Sequence, residues 1–202
     1  MKMKKIILLA TFSTIFTSFC ENISLISNVY NQVGLIFKED GGLNTESYFG
    51  GVYGGDGYMW GSLKQPFFEL VPVVSNNYTQ IADDWDAYVT NDIVSYTVLS
   101  AIGYSGLNVY TNFLGSMVTR YEQTYTTNDW ETVRTLSRSY QTPMWNALLL
   151  HYDNVAVSNL ILRIKSGATR AGDTKTKDLC AEILTGETRE AYLLMKAAGA
   201  IE

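Results

Sequence analysis

Along most of this 202-residue chain, apolar residues recur at intervals of three and four, the spacing that gives a helix one buried face. The first run covers 23–37 through Leu25, Ile26, Val29, Tyr30, Val33, Ile36 and Phe37. Lys38-Glu39-Asp40 and Gly41-Gly42 stop it. Tyr78, Ile81, Trp85 and Tyr88 predict a helix running to about Thr90, and Asn91 or Asp92 opens another through Ile93, Val94, Tyr96, Val98, Leu99, Ala101 and Ile102. After Ser105-Gly106 the pattern resumes at Leu107, Tyr110, Phe113, Leu114, Met117, Val118 and Tyr121.

The stretch 128–165 is the one the others must pack around. Asn128 stands three residues before Glu131, as in a capping box, and Pro143 divides the stretch. Beyond it, Trp145, Leu148, Leu149, Tyr152, Val155, Ala156, Leu160 and Ile164 predict a helix with a wide apolar face, closing at Arg163, Lys165 and Gly167. Leu179, Cys180, Ile183 and Leu184 then mark a helix over 174–184. Thr188 begins a last one with Ala191, Tyr192, Leu194, Met195 and Ala198. Alternation of period two is scarce. The fold class is therefore all-α, a single-domain bundle of about seven or eight helices.

Two stretches break the pattern. Eight of the sixteen glycines lie in 41–61, interleaved with Tyr48, Phe49, Tyr53, Tyr58 and Trp60. Glycine costs a helix about 1 kcal/mol against alanine, so this density predicts a long irregular loop. Its aromatics serve either as a lip contacting a ligand or partner or as a plug folded onto the bundle, and packing carries the greater weight. Gly55-Asp56-Gly57 lacks the following Gly of a dinucleotide fingerprint and the Lys of a phosphate loop. The second stretch, 66–74, is apolar but holds Pro66 and Pro72, which predicts a broken helix or a buried extended piece.

Lys2, Lys4 and Lys5 precede an apolar run, Ile6 to Phe16, too short to span a bilayer comfortably. Ser18-Phe19-Cys20 offers small residues at the positions a signal peptidase reads, so 1–20 is expected to be a signal peptide and 21–202 a secreted, extracellular helical domain. Phe19 argues against lipid attachment at Cys20. Asn22-Ile23-Ser24 and Asn77-Tyr78-Thr79 are N-glycosylation sequons, making Asn22 and Asn77 the expected glycan sites. Only Cys180 then remains, which excludes an internal disulfide framework and fits a buried small apolar residue.

Net charge is −5 for the whole chain, and loss of the three lysines makes the mature chain more acidic still. That charge gives no electrostatic reason to bind nucleic acid, and no later apolar run is long enough to span a membrane.

Candidate chemistry is sparse. His151 is the lone histidine, so a His-based metal cluster is excluded, and a Cys180–His151 nucleophile pair has no local support. Asp83, Asp84, Asp86 and Asp92 are the densest acids. Their spacing is wrong for the Asp-Asp-x-x-Asp box of a diphosphate-binding bundle, and Leu99 stands where a second box needs an acid. Acids in a first helical turn are stabilising without any ligand. Arg163, Lys165, Arg170, Lys175 and Lys177 form the basic cluster, and the Asp83–Asp86 face of a second copy would suit it in a homodimer.

No catalytic set, metal or cofactor is called for. The expected function is a secreted, non-catalytic helical protein binding a hydrophobic small molecule or lipid. The alternative is an extracellular protein-interaction or structural module using Tyr48, Phe49, Tyr53, Tyr58 and Trp60. A hydrolase or metal-dependent enzyme comes third.

Overall fold

The structure is a computed structural model that describes residues 23–38, 56–138, 148, 150–151 and 153–198. Among these, every regular element is a helix. In chain order they are α1 (23–36), α2 (Asp56–Asn76), α3 (Tyr78–Asp83), α4 (Trp85–Tyr88), α5 (Asp92–Tyr104), α6 (Leu107–Thr124), α7 (Thr127–Arg138), α8 (Val155–Ala171), α9 (Thr174–Thr185) and α10 (Glu187–Ala197). The all-α expectation holds. The chain is organised as two compact units, residues 1–97 and 98–202, with the division falling inside α5.

In the first unit the core is built from the apolar faces of α1 to α5. Val29, Val33 and Ile36 of α1, Leu70 and Val74 of α2, Ile81 of α3, Trp85 and Tyr88 of α4 and Val94 of α5 are all buried. The Trp85 and Tyr88 rings stack with centroids 6.0 Å apart. One polar link sets the position of α1. The Tyr30 hydroxyl donates to the Ala87 carbonyl at 2.8 Å and meets Thr90 Oγ1 at 3.0 Å, tying α1 to α4 and to the joint that follows it.

The second unit centres on α8, which packs against α6, α7 and α9, while α10 rests on α9. In α6 the predicted stripe is the buried one: Tyr110, Phe113, Leu114, Met117, Val118 and Tyr121. Tyr110 is fully buried and its hydroxyl donates to the Leu136 carbonyl of α7 at 2.8 Å, so the one polar atom of that ring is satisfied. At Gly167 of α8 an added Cβ would lie 3.0 Å from the Trp130 ring and 3.3 Å from that of Tyr121. The glycine is there so that the aromatic pair can lie against the α8 backbone.

Four expectations are corrected by these elements. The glycine-rich segment was expected to be irregular over 41–61, but 56–61 belong to the start of α2; 41–55 lie outside the described residues. Gly57 falls in the first turn, where helical amides lack partners anyway, and the length of the helix outweighs the cost of Gly61. The proline-bearing piece 66–74 is neither broken nor extended. Helix α2 runs through Pro66 and Pro72, each leaving one carbonyl a turn earlier without its amide, while Leu70 and Val74 supply burial.

The third correction concerns α8. It begins at Val155, not near Trp145, because the Asn154 side chain caps it by accepting from the amides of Ala156 and Val157 at 2.9 and 3.4 Å. It ends at Ala171 on Gly172 in the left-handed region, φ 71°, rather than at Gly167. The fourth is the capping box. Thr126, not Asn128, precedes the helix, and its Oγ1 accepts from the Asp129 amide at 3.2 Å while donating to Asp129 Oδ2 at 2.7 Å.

Candidate functional site

A crevice of about 260 Å³ opens in the first unit between the C-terminal half of α1 and the N-terminus of α5. Tyr30, Val33, Gly34, Phe37 and Lys38 line one side, and Asn91, Ile93 and Val94 the other. Each wall follows from local sequence. On α1 the apolar stripe turns Val33 inward, and Gly34 beside it has no side chain. A Cβ built at Gly34 meets nothing within 4 Å, so the space above it is open. On the opposite wall, Asn91 Oδ1 accepts from the amides of Ile93 and Val94 at 3.0 and 3.2 Å. That cap fixes the first turn of α5 and sets Ile93 and Val94 against the crevice. The Tyr30 link to Ala87 and Thr90 holds the two walls at their spacing.

The lining is mostly apolar. Val33, Phe37, Ile93 and Val94 are apolar, the Tyr30 hydroxyl is engaged, and the Asn91 carbonyl oxygen is committed to its cap. Sequence reading placed Val33, Phe37, Ile93 and Val94 on buried faces and Lys38 and Asn91 at helix ends. It passed over Gly34. The available signal was a glycine inside an otherwise apolar helical run, where no turn requires one.

The residues singled out from sequence fall elsewhere. Tyr48, Phe49 and Tyr53 lie outside the described residues, as do Asn22 and the proposed signal peptide 1–20. Tyr58 and Trp60 stand in the first two turns of α2. Asn77 is half-buried in the single-residue joint between α2 and α3, where its Nδ2 donates to the Val73 carbonyl at 2.7 Å. A glycan on that nitrogen would compete with this bond.

Cys180 and His151 do not make a nucleophile. Cys180 is fully buried, and burial pushes its thiol up to about 12, although Lys165 acts in the opposite sense. A protonated, inaccessible thiol does not attack anything. His151 is exposed. Asp83 and Asp86 are exposed as well, and among the described residues no group of three or more His, Cys, Asp and Glu side chains comes together as a metal ion would need.

Three members of the basic cluster, Arg163, Arg170 and Lys177, have contacts within their own unit. Arg163 donates from Nε to Glu122 Oε1 at 3.0 Å and from Nη2 to Thr119 Oγ1 at 2.8 Å, joining α8 to α6. The Arg170 guanidinium sits 4.2 Å over the Tyr125 ring, and Lys177 pairs with Asp178 at 3.6 Å.

Among the described residues a dense polar cluster forms around Asp129. Asp129, 3% exposed, accepts from Arg120 Nε at 2.7 Å, from Thr126 Oγ1 at 2.7 Å and from Thr124 Oγ1. Burial by itself raises this carboxyl, but the hydrogen bonds from Thr124, Thr126 and Arg120 and the Arg120 charge outweigh it, holding the group below the ordinary aspartate range. The cluster closes the short α6–α7 connection, where Tyr125 adopts φ 52°.

Comparison of the chain with known protein families, with curated proteins and with solved structures returns no match.

Proposed function

We propose that this chain is an exported, non-catalytic helical protein that binds a small hydrophobic molecule in the crevice between α1 and α5. The observation that supports it most is the crevice itself, with Val33, Phe37, Ile93 and Val94 as apolar walls and open space above the helical Gly34. Glycine inside a helix costs roughly 0.5–1 kcal/mol relative to alanine. A Cβ at this position would meet nothing within 4 Å, so the crevice is open above it.

Size narrows the ligand. Pockets for drug-sized molecules occupy about 300–1,000 Å³, and this crevice, at about 260 Å³, lies just under that range. A short apolar chain or single ring fits it; a long-chain lipid does not. Export is read from the basic and apolar N-terminal segment, and among the described residues no helix is long and apolar enough to cross a membrane.

Uptake of an environment-sensitive apolar dye by the purified chain tests the reading. Wild type is expected to enhance the dye's fluorescence. Gly34→Leu, and the smaller Gly34→Val, are expected to abolish that signal while keeping the helical circular dichroism. Equal uptake by folded Gly34→Leu overturns the assignment of the site.

A further inference from the structure

The crevice has a polarity along its length. Val33, Ile93 and Val94 present aliphatic surface and Phe37 an aromatic ring, while Lys38, exposed and one residue further along, is the charged group among the described lining residues. At the start of α5 the amides of Ile93 and Val94, the two that line the crevice, are already taken, since both donate to Asn91 Oδ1. Positive charge at this rim therefore comes from the Lys38 ammonium. Lys38 has an interaction of its own, but an ammonium carries three N–H donors and can serve a carboxylate besides.

From this arrangement we propose that the ligand is a short amphipathic carboxylate. Its aliphatic chain lies on Val33, Phe37, Ile93 and Val94 over Gly34, and its carboxylate meets Lys38. The inference rests on the binding function proposed above and adds a headgroup to it. Charge complementarity selects the anion: an amine would meet Lys38 with like charge, and a neutral headgroup would leave the ammonium without added attraction. Apolar burial supplies most of the affinity. The Lys38 contact is solvent-exposed and supplies selectivity, worth roughly two- to fivefold at low salt by the usual strength of exposed ion pairs.

Isothermal titration with octanoate and with its neutral isostere octanamide separates the two claims. Wild type is expected to bind octanoate roughly two- to fivefold more tightly than octanamide, with the preference shrinking as salt is raised. Lys38→Met is expected to bind both equally, and Lys38→Glu to reverse the preference; at an exposed position neither change threatens folding. Equal affinity of wild type for the two ligands overturns the carboxylate assignment and leaves a neutral apolar site. Failure of both ligands to bind wild type overturns the binding function as well.

Discussion

Two glycines show how one residue type serves opposite ends. Gly34 faces open space, and Gly167 faces the rings of Trp130 and Tyr121 at 3.0 and 3.3 Å. Gly34→Ala is therefore expected to raise the stability of the folded chain by about 0.5–1 kcal/mol through helix propensity. Gly167→Ala is expected to lower it by about 1–3 kcal/mol, because the indole edge must shift out of a filled core. Urea unfolding of the two variants beside wild type measures both signs. The same destabilisation from both would mean that the space above Gly34 is not open.

In the sequence Gly34 stands inside an apolar helical run and Gly167 reads as a stop signal, and neither reading gives the role. What distinguishes them is the element packed opposite, and spacing along one helix carries no information about that. Tyr110 illustrates the reverse: its place in the α6 stripe was legible from spacing alone, and only its bond to the Leu136 carbonyl had to await the neighbouring helix.

At the scale of elements, helix interiors were readable and helix ends less so. The interiors of α1, α5, α6 and α9 follow the period of apolar residues, because burying one face is what stabilises a helix in a protein; α10 departs from it, since Leu194 and Met195 of its expected buried face are exposed. Ends depend on which of several capping side chains takes the amides. Around α7, both Thr126 and Asn128 are competent caps, and Thr126 prevails because Asp129 returns its hydrogen bond and Arg120 and Thr124 complete the carboxylate's shell.

That cluster makes a pH signature. Asp129 is held below the ordinary aspartate value, so it binds fewer protons folded than unfolded in the acid range. Its contribution is present above the unfolded value, about pH 4, and is lost as pH falls through the lower folded-state value. Melting temperatures of wild type and Asp129→Asn are expected to differ most near neutral pH, with wild type the more stable, and to converge in acid. A constant difference down to about pH 2 would remove the carboxylate from the account.

For the molecule as a whole, composition and periodicity made the all-α class legible. They could not reveal a grouping into residues 1–97 and 98–202, since the division falls inside the unbroken α5 and no linker marks it. The candidate site was legible only as separate pieces, an apolar stripe ending at Lys38 and a helix opening at Asn91. These residues stand more than fifty apart in sequence, and what brings them together is a hydroxyl on Tyr30 that periodicity treats as one more apolar position.

The central claim is that binding occurs between α1 and α5, and amide chemical-shift mapping of the isotopically labelled chain during titration with octanamide tests it most directly. The account predicts saturable shifts concentrated at residues 30–38 and 91–94 in wild type and their loss in Gly34→Leu. Shifts centred in the second unit, or none at saturating ligand, would contradict it.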